Sequence, residues 1–279
     1  MKQMRIILTA IIVLAIFFQA NAQTDSTAKK RTQFKLSINY NTGLNYYGRT
    51  DSLKSSGFFP LAELWFTPDF YINAAPVFVN NSMQRFNYAG TVTTLGYQHV
   101  SGKWLTNIYV MKPFYKQSSE LVQSALKAQT GLNLSFLNKV LNINGGADVK
   151  YSDKLDYGTT AGFDHIFRIS FKNNSTIVVD PSFTTSAGTQ NFTNTYYQKT
   201  KGFLFFPGST QQVSQNTQQF NILAYEFSLP FIYIKGHWQL LITPSFVMPQ
   251  NLLSIPNHPE LSERGTDLFY STIAAKYLF

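Results

Sequence analysis

At 279 residues the chain is long enough for one large or two modest domains, yet Asp, Glu, Lys and Arg make up only 13% of it while aromatics reach 16%, with 25 Phe and 16 Tyr. That is too little charge to cover a soluble globule of this size, and a mean hydropathy of −0.11 with one apolar stretch near span length excludes a bundle of transmembrane helices. The formal net charge is +9, and the absence of Cys excludes a disulfide framework, a thiolate metal site and a lipidated Cys.

The chain opens with an export pattern: Lys2 and Arg5, an apolar run from Ile6 to Phe18, then Ala20-Asn21-Ala22. The run is too short to span a bilayer comfortably and the Ala-x-Ala step suits cleavage before Gln23, so 1–22 is expected to be a cleaved signal peptide. The polar stretch 23–32, ending in Lys29-Lys30-Arg31-Thr32, is expected to be a short periplasmic tail.

From residue 33 the apolar signal has period two. Phe34, Leu36, Ile38 and Tyr40 alternate with Lys35, Ser37, Asn39 and Asn41, and the pattern recurs around Leu132 and around Ile143. Strands are expected at 33–47, 57–66, 70–79, 86–99, 104–115, 126–137, 140–151, 157–167, 175–186, 218–230, 237–248 and 266–279. Every second connection is tight: Thr67-Pro68-Asp69, Ser101-Gly102-Lys103, Asn138-Lys139 and Ile234-Lys235-Gly236, with 168–174 a looser member. The others are longer, above all 187–217 and 249–265. Short turns on one rim, long loops on the other and an even strand count predict an all-β fold: a closed antiparallel up-and-down transmembrane barrel of about 12 strands over 33–279. Closure is required because an open edge in lipid leaves backbone groups unpaired.

The last residues carry a resemblance. Phe279, Tyr277, Ala275, Ile273, Ser271 and Phe269 share one face against Lys276, Ala274, Thr272 and Tyr270, which resembles the terminal strand of Gram-negative outer-membrane β-barrel proteins. The resemblance implies that Tyr277 and Phe279 form an assembly signal read by the barrel-assembly machinery, and that the chain resides in the cell outer membrane. The signal peptide ending just before Gln23 and the phrases Tyr225-Glu226-Phe227-Ser228-Leu229-Pro230 and Ile242-Thr243-Pro244-Ser245-Phe246 resemble uncharacterised barrels of the Bacteroidetes type.

The lipid-facing set then includes Leu223, Tyr225, Phe227, Leu229 and Phe231 on one strand and Trp238, Leu240, Ile242, Pro244 and Phe246 on its partner. Tyr71, Tyr97, Trp104, Tyr109, Tyr151, Tyr157 and Tyr277 fall near strand ends, where aromatic girdles form. Lys103, Lys139, Arg168, Lys172 and Lys235 on the short-turn rim suit anchoring to anionic lipid. Nucleic acid is not an expected partner, since the basic residues are scattered singly.

The inward positions Lys35, Glu63, Asp148, Lys150, Asp164, Asp180, Glu226 and Lys276, among many uncharged polar residues, are the candidate lining of a solute path. Gly90, Gly96, Gly131, Gly146 and Gly162 favour some free bore. Phe59, Leu61, Trp65, Tyr71, Val77 and Val79 also point inward and would fill space or line an apolar groove. For Glu226 three states are open: hydrated, paired with an inward Lys, or protonated. No sequence signature for a metal or cofactor is present and no catalytic residues are assigned: His99, His165 and His237 fall near short turns, and only His258, near Ser254 and Ser262, lies on the long-loop side. Three readings follow: a narrow channel or transporter for small polar solutes, a non-conducting ligand-binding or structural barrel assisting an envelope complex, and an outer-membrane lipid hydrolase.

Overall fold

Alternation at period two persists over nearly every segment of the computed structural model, which describes residues 32–51, 53–116, 119, 121, 125–191, 219–252 and 262–279. The strands are β1 (Gln33–Asn41), β2 (Asn45–Tyr46), β3 (Arg49–Thr50), β4 (Ser56–Trp65), β5 (Phe70–Asn80), β6 (Asn87–Ser101), β7 (Trp104–Tyr115), β8 (Ala128–Phe136) and β9 (Asn142–Tyr151). They continue with β10 (Leu155–Asp164), β11 (Phe167–Ser170), β12 (Ser175–Val179), β13 (Ser182–Gly188), β14 (Asn221–Ser228), β15 (Phe231–Lys235), β16 (Trp238–Pro249) and β17 (Leu268–Leu278). All but β2 and β3 belong to one antiparallel sheet that closes on itself through β1 and β17, Lys35 lying opposite Leu278 and Asn41 opposite Thr272. β10 with β11, β12 with β13 and β14 with β15 are halves of single staves, so the wall has twelve.

The outward face is the apolar one. Trp104, Ile108, Val110 and Phe114 on β7, Leu132 and Leu134 on β8, and Trp238, Leu240 and Ile242 on β16 are all exposed. A closed wall with such an exterior and a polar interior is an outer-membrane β-barrel, since lipid covers the apolar face while each stave is hydrogen-bonded to a neighbour on both sides.

Three expectations about the wall need correction. β1 ends at Asn41, not at 47, because Asn41 Oδ1 accepts a hydrogen bond from Gly43 N at 2.9 Å and the chain leaves the wall there. The last tight turn is Gly236-His237, with β15 running through Ile234 and Lys235; only Gly236, at φ 55°, needs the left-handed region. Leu223 is buried at 2% exposure instead of facing lipid. Ser186 pairs with Ala224 and Ala187 with Ile222, which makes Leu223 the extra residue of a β-bulge and returns the outward face to Ile222.

A row of kinks crosses neighbouring staves where prolines replace ladder donors. His165 N donates to Pro181 O, Asp180 N to Pro230 O and Leu229 N to Pro244 O, at 3.0 to 3.2 Å, which carries the ladder across the breaks.

Candidate functional site in the barrel lumen

The segment that leaves the wall at Asn41 turns into the bore. β2 and β3 form a hairpin through Tyr47 and Gly48, both at positive φ (53° and 75°), as a two-residue turn of this type demands. Asn45 Oδ1 accepts from Gly48 N at 3.0 Å, and a Cβ on Gly48 would lie 2.8 Å from the Pro249 ring. Behind the hairpin, Leu44 packs on the cluster of Val77, Val79, Ala89 and Leu121. In front, Lys150 Nζ stands 5.8 Å from the Tyr47 ring, and Tyr46 lies near Asp148 and Asp156. β9 and β10 lie across the barrel from β1, so the hairpin spans the lumen. Burial pushes the Tyr46 phenol well above its ordinary value, with Tyr47 and Asp148 adding to the rise.

Arg49, at 1% exposure, holds the hairpin in place. Its Nε donates to Glu263 Oε2 at 3.0 Å. Its two terminal nitrogens donate to Tyr47 O, Leu223 O, Gln190 Oε1 and Gln250 O, each at 3.1 Å. Thr50 N also donates to Arg264 O at 3.0 Å. The bulge at Leu223 supplies one of these acceptors, so a local irregularity of the wall is part of the anchor.

The predicted lumenal residues all sit on the inward rows and gather in groups. Lys35 and Lys276 meet Glu63 Oε1 at 3.4 and 3.5 Å, Trp65 Nε1 donates to the same oxygen at 2.8 Å, and Lys35 Nζ lies 4.4 Å from the Trp65 ring. Asp148 and Lys150 form an ion pair under the hairpin. Asp164 accepts from Asn142 and Asn144 at 2.6 and 2.5 Å and lies beside Asp180 at the row of kinks. Glu226 accepts from Tyr270 OH at 2.8 Å and from Ser228 Oγ at 3.2 Å, and no Lys or Arg pairs with it among the described residues.

The inward glycines do not open the bore as their size suggested. Gly96 lies opposite Tyr71 and Gly131 opposite Tyr109, and a Cβ at either would meet the ring at 2.2 and 2.8 Å. Each ring lies over the missing side chain, with Tyr71 OH donating to Asn107 Oδ1 at 3.2 Å and Tyr109 OH accepting from Gln129 at 2.9 Å. Tyr71 and Tyr109 are therefore lumenal and do not belong to the aromatic girdles.

Sequence reasoning missed Tyr46, Tyr47, Arg49, Asp156 and Tyr270. Asp156, at 1% exposure, accepts from Thr189 Oγ1 and Asn191 N at 2.6 and 2.7 Å, fixing the start of the loop after β13. The body of that loop, 192–218, lies outside the described residues, as do His258, Ser254 and residues 1–31 with the expected signal peptide. His99 Nδ1 stands 3.1 Å from Asp69 Oδ1 at an exposed short turn, and His237 Nδ1 lies 2.7 Å from Leu278 O. Among the described residues no group of three His, Asp or Glu side chains is arranged to hold a metal. Tyr277 packs on Trp238 at 4.9 Å and on Phe279 at 4.7 Å, while Phe279 N donates to Phe34 O at 2.9 Å.

No family model matches the chain, and no curated protein matches it. Among solved structures it is similar to a KdgM porin, with a TM-score of 0.46 and 9% identity over 88% of this chain and 98% of that one. It is also similar to the COG4313 outer membrane channel from Pseudomonas putida F1 (TM-score 0.43, 9% identity, 92% and 100% covered). A third is LpxR from Salmonella typhimurium (TM-score 0.41, 11% identity, 88% and 100% covered). At such scores these likenesses carry no inference about the chemistry of this chain.

Proposed function

We propose that the protein is a narrow channel for small polar solutes whose constriction is the β2–β3 hairpin. The observation that carries this reading is a hairpin crossing a polar lumen, with Tyr46 and Tyr47 set against Asp148 and Lys150. Aromatic faces beside a paired cation and anion suit neutral hydroxylated or zwitterionic solutes, because neither sign is offered alone. The grouped inward charges at Lys35, Glu63 and Lys276, at Asp164 and Asp180, and at Glu226 would line the path on the short-turn side of that constriction. The likeness of the signal-peptide end before Gln23 and of the phrases 225–230 and 242–246 to Bacteroidetes-type barrels belongs to the same reading. Conductance of the refolded protein in planar bilayers tests it. Tyr46→Ala with Tyr47→Ala is expected to raise the single-channel current, and silence of both the native protein and this variant would overturn the reading.

A non-conducting ligand-binding or structural barrel is favoured by one different observation: the buried Arg49 anchor and the Leu44 cluster both brace the long-loop end. A lipid hydrolase would rest on His258 with Ser254 and Ser262, and release of fatty acid from membrane lipid by the refolded protein is its test.

A further inference from the structure

Lys112 breaks the rule that the outward face of this barrel is apolar. On β7 the outward row runs Trp104, Thr106, Ile108, Val110, Lys112, Phe114, and among the described residues Lys112 is the only charged side chain on such a row away from a strand end. It stands about 10 Å along the strand from its end at Tyr115. Charge on a lipid face costs most at mid-depth and less near the interface, so an outward Lys persists where its ammonium reaches a headgroup. Its Nζ lies 5.6 Å from the ring of Phe114, the next outward residue toward the long-loop rim. No carboxylate pairs with it among the described residues.

Polar residues neighbour Lys112 along the ladder. Thr93, opposite Lys112 in the ladder, donates its hydroxyl to Lys112 O at 3.0 Å. Thr91, opposite Phe114, lies 2.7 Å from Tyr88 OH, and Lys116 Nζ is 5.2 Å from the Tyr88 ring. Below them Val110, Ile108 and Leu95 are each about half exposed and wholly apolar. The patch therefore sets the Lys112 ammonium and the Thr91 and Tyr88 hydroxyls toward the long-loop rim, with a hydrocarbon surface beneath.

We propose that β6 and β7 carry a lipid site at the long-loop rim, in which Lys112 binds the phosphate of a phosphorylated outer-leaflet lipid whose acyl chains lie along Val110, Ile108 and Leu95. The long-loop rim of such barrels faces outward, which places the patch in the leaflet that carries phosphorylated glycolipid. An ammonium without a protein counter-ion takes one from the headgroup, and a lipid of net negative charge holds it more strongly than a zwitterion, whose own cation offsets its phosphate.

Native mass spectrometry of the intact barrel with diphosphorylated lipid A or with phosphatidylcholine tests the site. The native protein is expected to keep lipid A at collision energies that strip phosphatidylcholine. Lys112→Gln should lower the retained fraction about tenfold, the loss of one charge-assisted hydrogen bond, while Lys112→Arg keeps it. Lys127→Gln is the control: Lys127 also lies beside an aromatic ring, that of Tyr151, but Asp153 already pairs its ammonium at 2.6 Å, and it should retain lipid A as the native protein does. Equal retention by Lys112→Gln, equal retention of phosphatidylcholine, or loss at Lys112→Gln of a protein dimer instead of a lipid adduct would each overturn the proposal. An unchanged shift in gel mobility on boiling shows that each variant is still a closed barrel.

Discussion

Arg49 and Glu263 meet at 3.0 Å across 214 positions of sequence, with both side chains at 2% exposure or less. Two charges removed from water this completely hold together only because each satisfies the other, and Arg49 spends its remaining donors on four oxygens of the rim.

Arg49→Ala should therefore free the hairpin. Loss of one partner from a buried pair costs about 3 to 5 kcal/mol, more than a two-residue hairpin gains from its own hydrogen bonds. The expected result is a larger and noisier single-channel current, with proteolytic cleavage within 42–55, while the wall still resists SDS until boiled. A current and a cleavage pattern identical to those of the native protein would show that the hairpin is held by other contacts.

Alkaline pH should loosen the same element through Tyr46. Its phenol is raised by burial, so the closed hairpin favours the neutral form. The sign follows directly: closure is at full strength below the ordinary value of 10.0 and weakens as pH climbs past it toward the raised value. Current recorded from pH 8 upward should rise above about pH 10 in the native protein and much less in Tyr46→Phe.

Glu226→Gln separates charge from structure. Tyr270 and Ser228 can still donate to the amide oxygen and no lysine is stranded, so the unfolding midpoint should move by less than about 1 kcal/mol equivalent. Reversal potential under a salt gradient should shift away from cations, because one fixed lumenal carboxylate is gone. A large stability loss with unchanged selectivity would count against a conducting path at this residue.

Gly131→Val should destabilise the barrel by about 1 to 3 kcal/mol through overpacking, since its Cβ would meet the Tyr109 ring. Combining it with Tyr109→Ala should recover part of that loss, and denaturant midpoints of the two single variants and the double variant decide it. Additive losses would show that the ring does not lie over Gly131 in solution.

The wall was legible because alternation and turn spacing are local. Every one of the twelve staves lies where period two predicts it, with ends displaced by a few residues. The hairpin was not legible: Leu44 and Tyr46 continue the even-numbered apolar face of Phe34 to Tyr40, and an apolar side chain inside a lumen leaves the same trace as one in lipid. Leu223 was misread for a related reason, since its alternation with Tyr225 and Phe227 is perfect in sequence. The unbroken run Ile222-Leu223-Ala224 was the only hint of a bulge. Gly96 and Gly131 needed the cross-strand register, which pairs each with a tyrosine more than twenty positions away. The grouping of the lumenal charges likewise depends on which staves become neighbours.

The kinks at Pro181, Pro230 and Pro244 give the wall a direction of weakness. Along this row each proline lacks a donor, and the staves β10–β11, β12–β13 and β14–β15 are interrupted side by side. A line of missing ladder donors on adjacent staves bends more readily than the same staves fully paired would. Asp164 and Asp180 sit on that line, so any bending there is felt inside the barrel as a change in the spacing of two adjoining carboxyl groups.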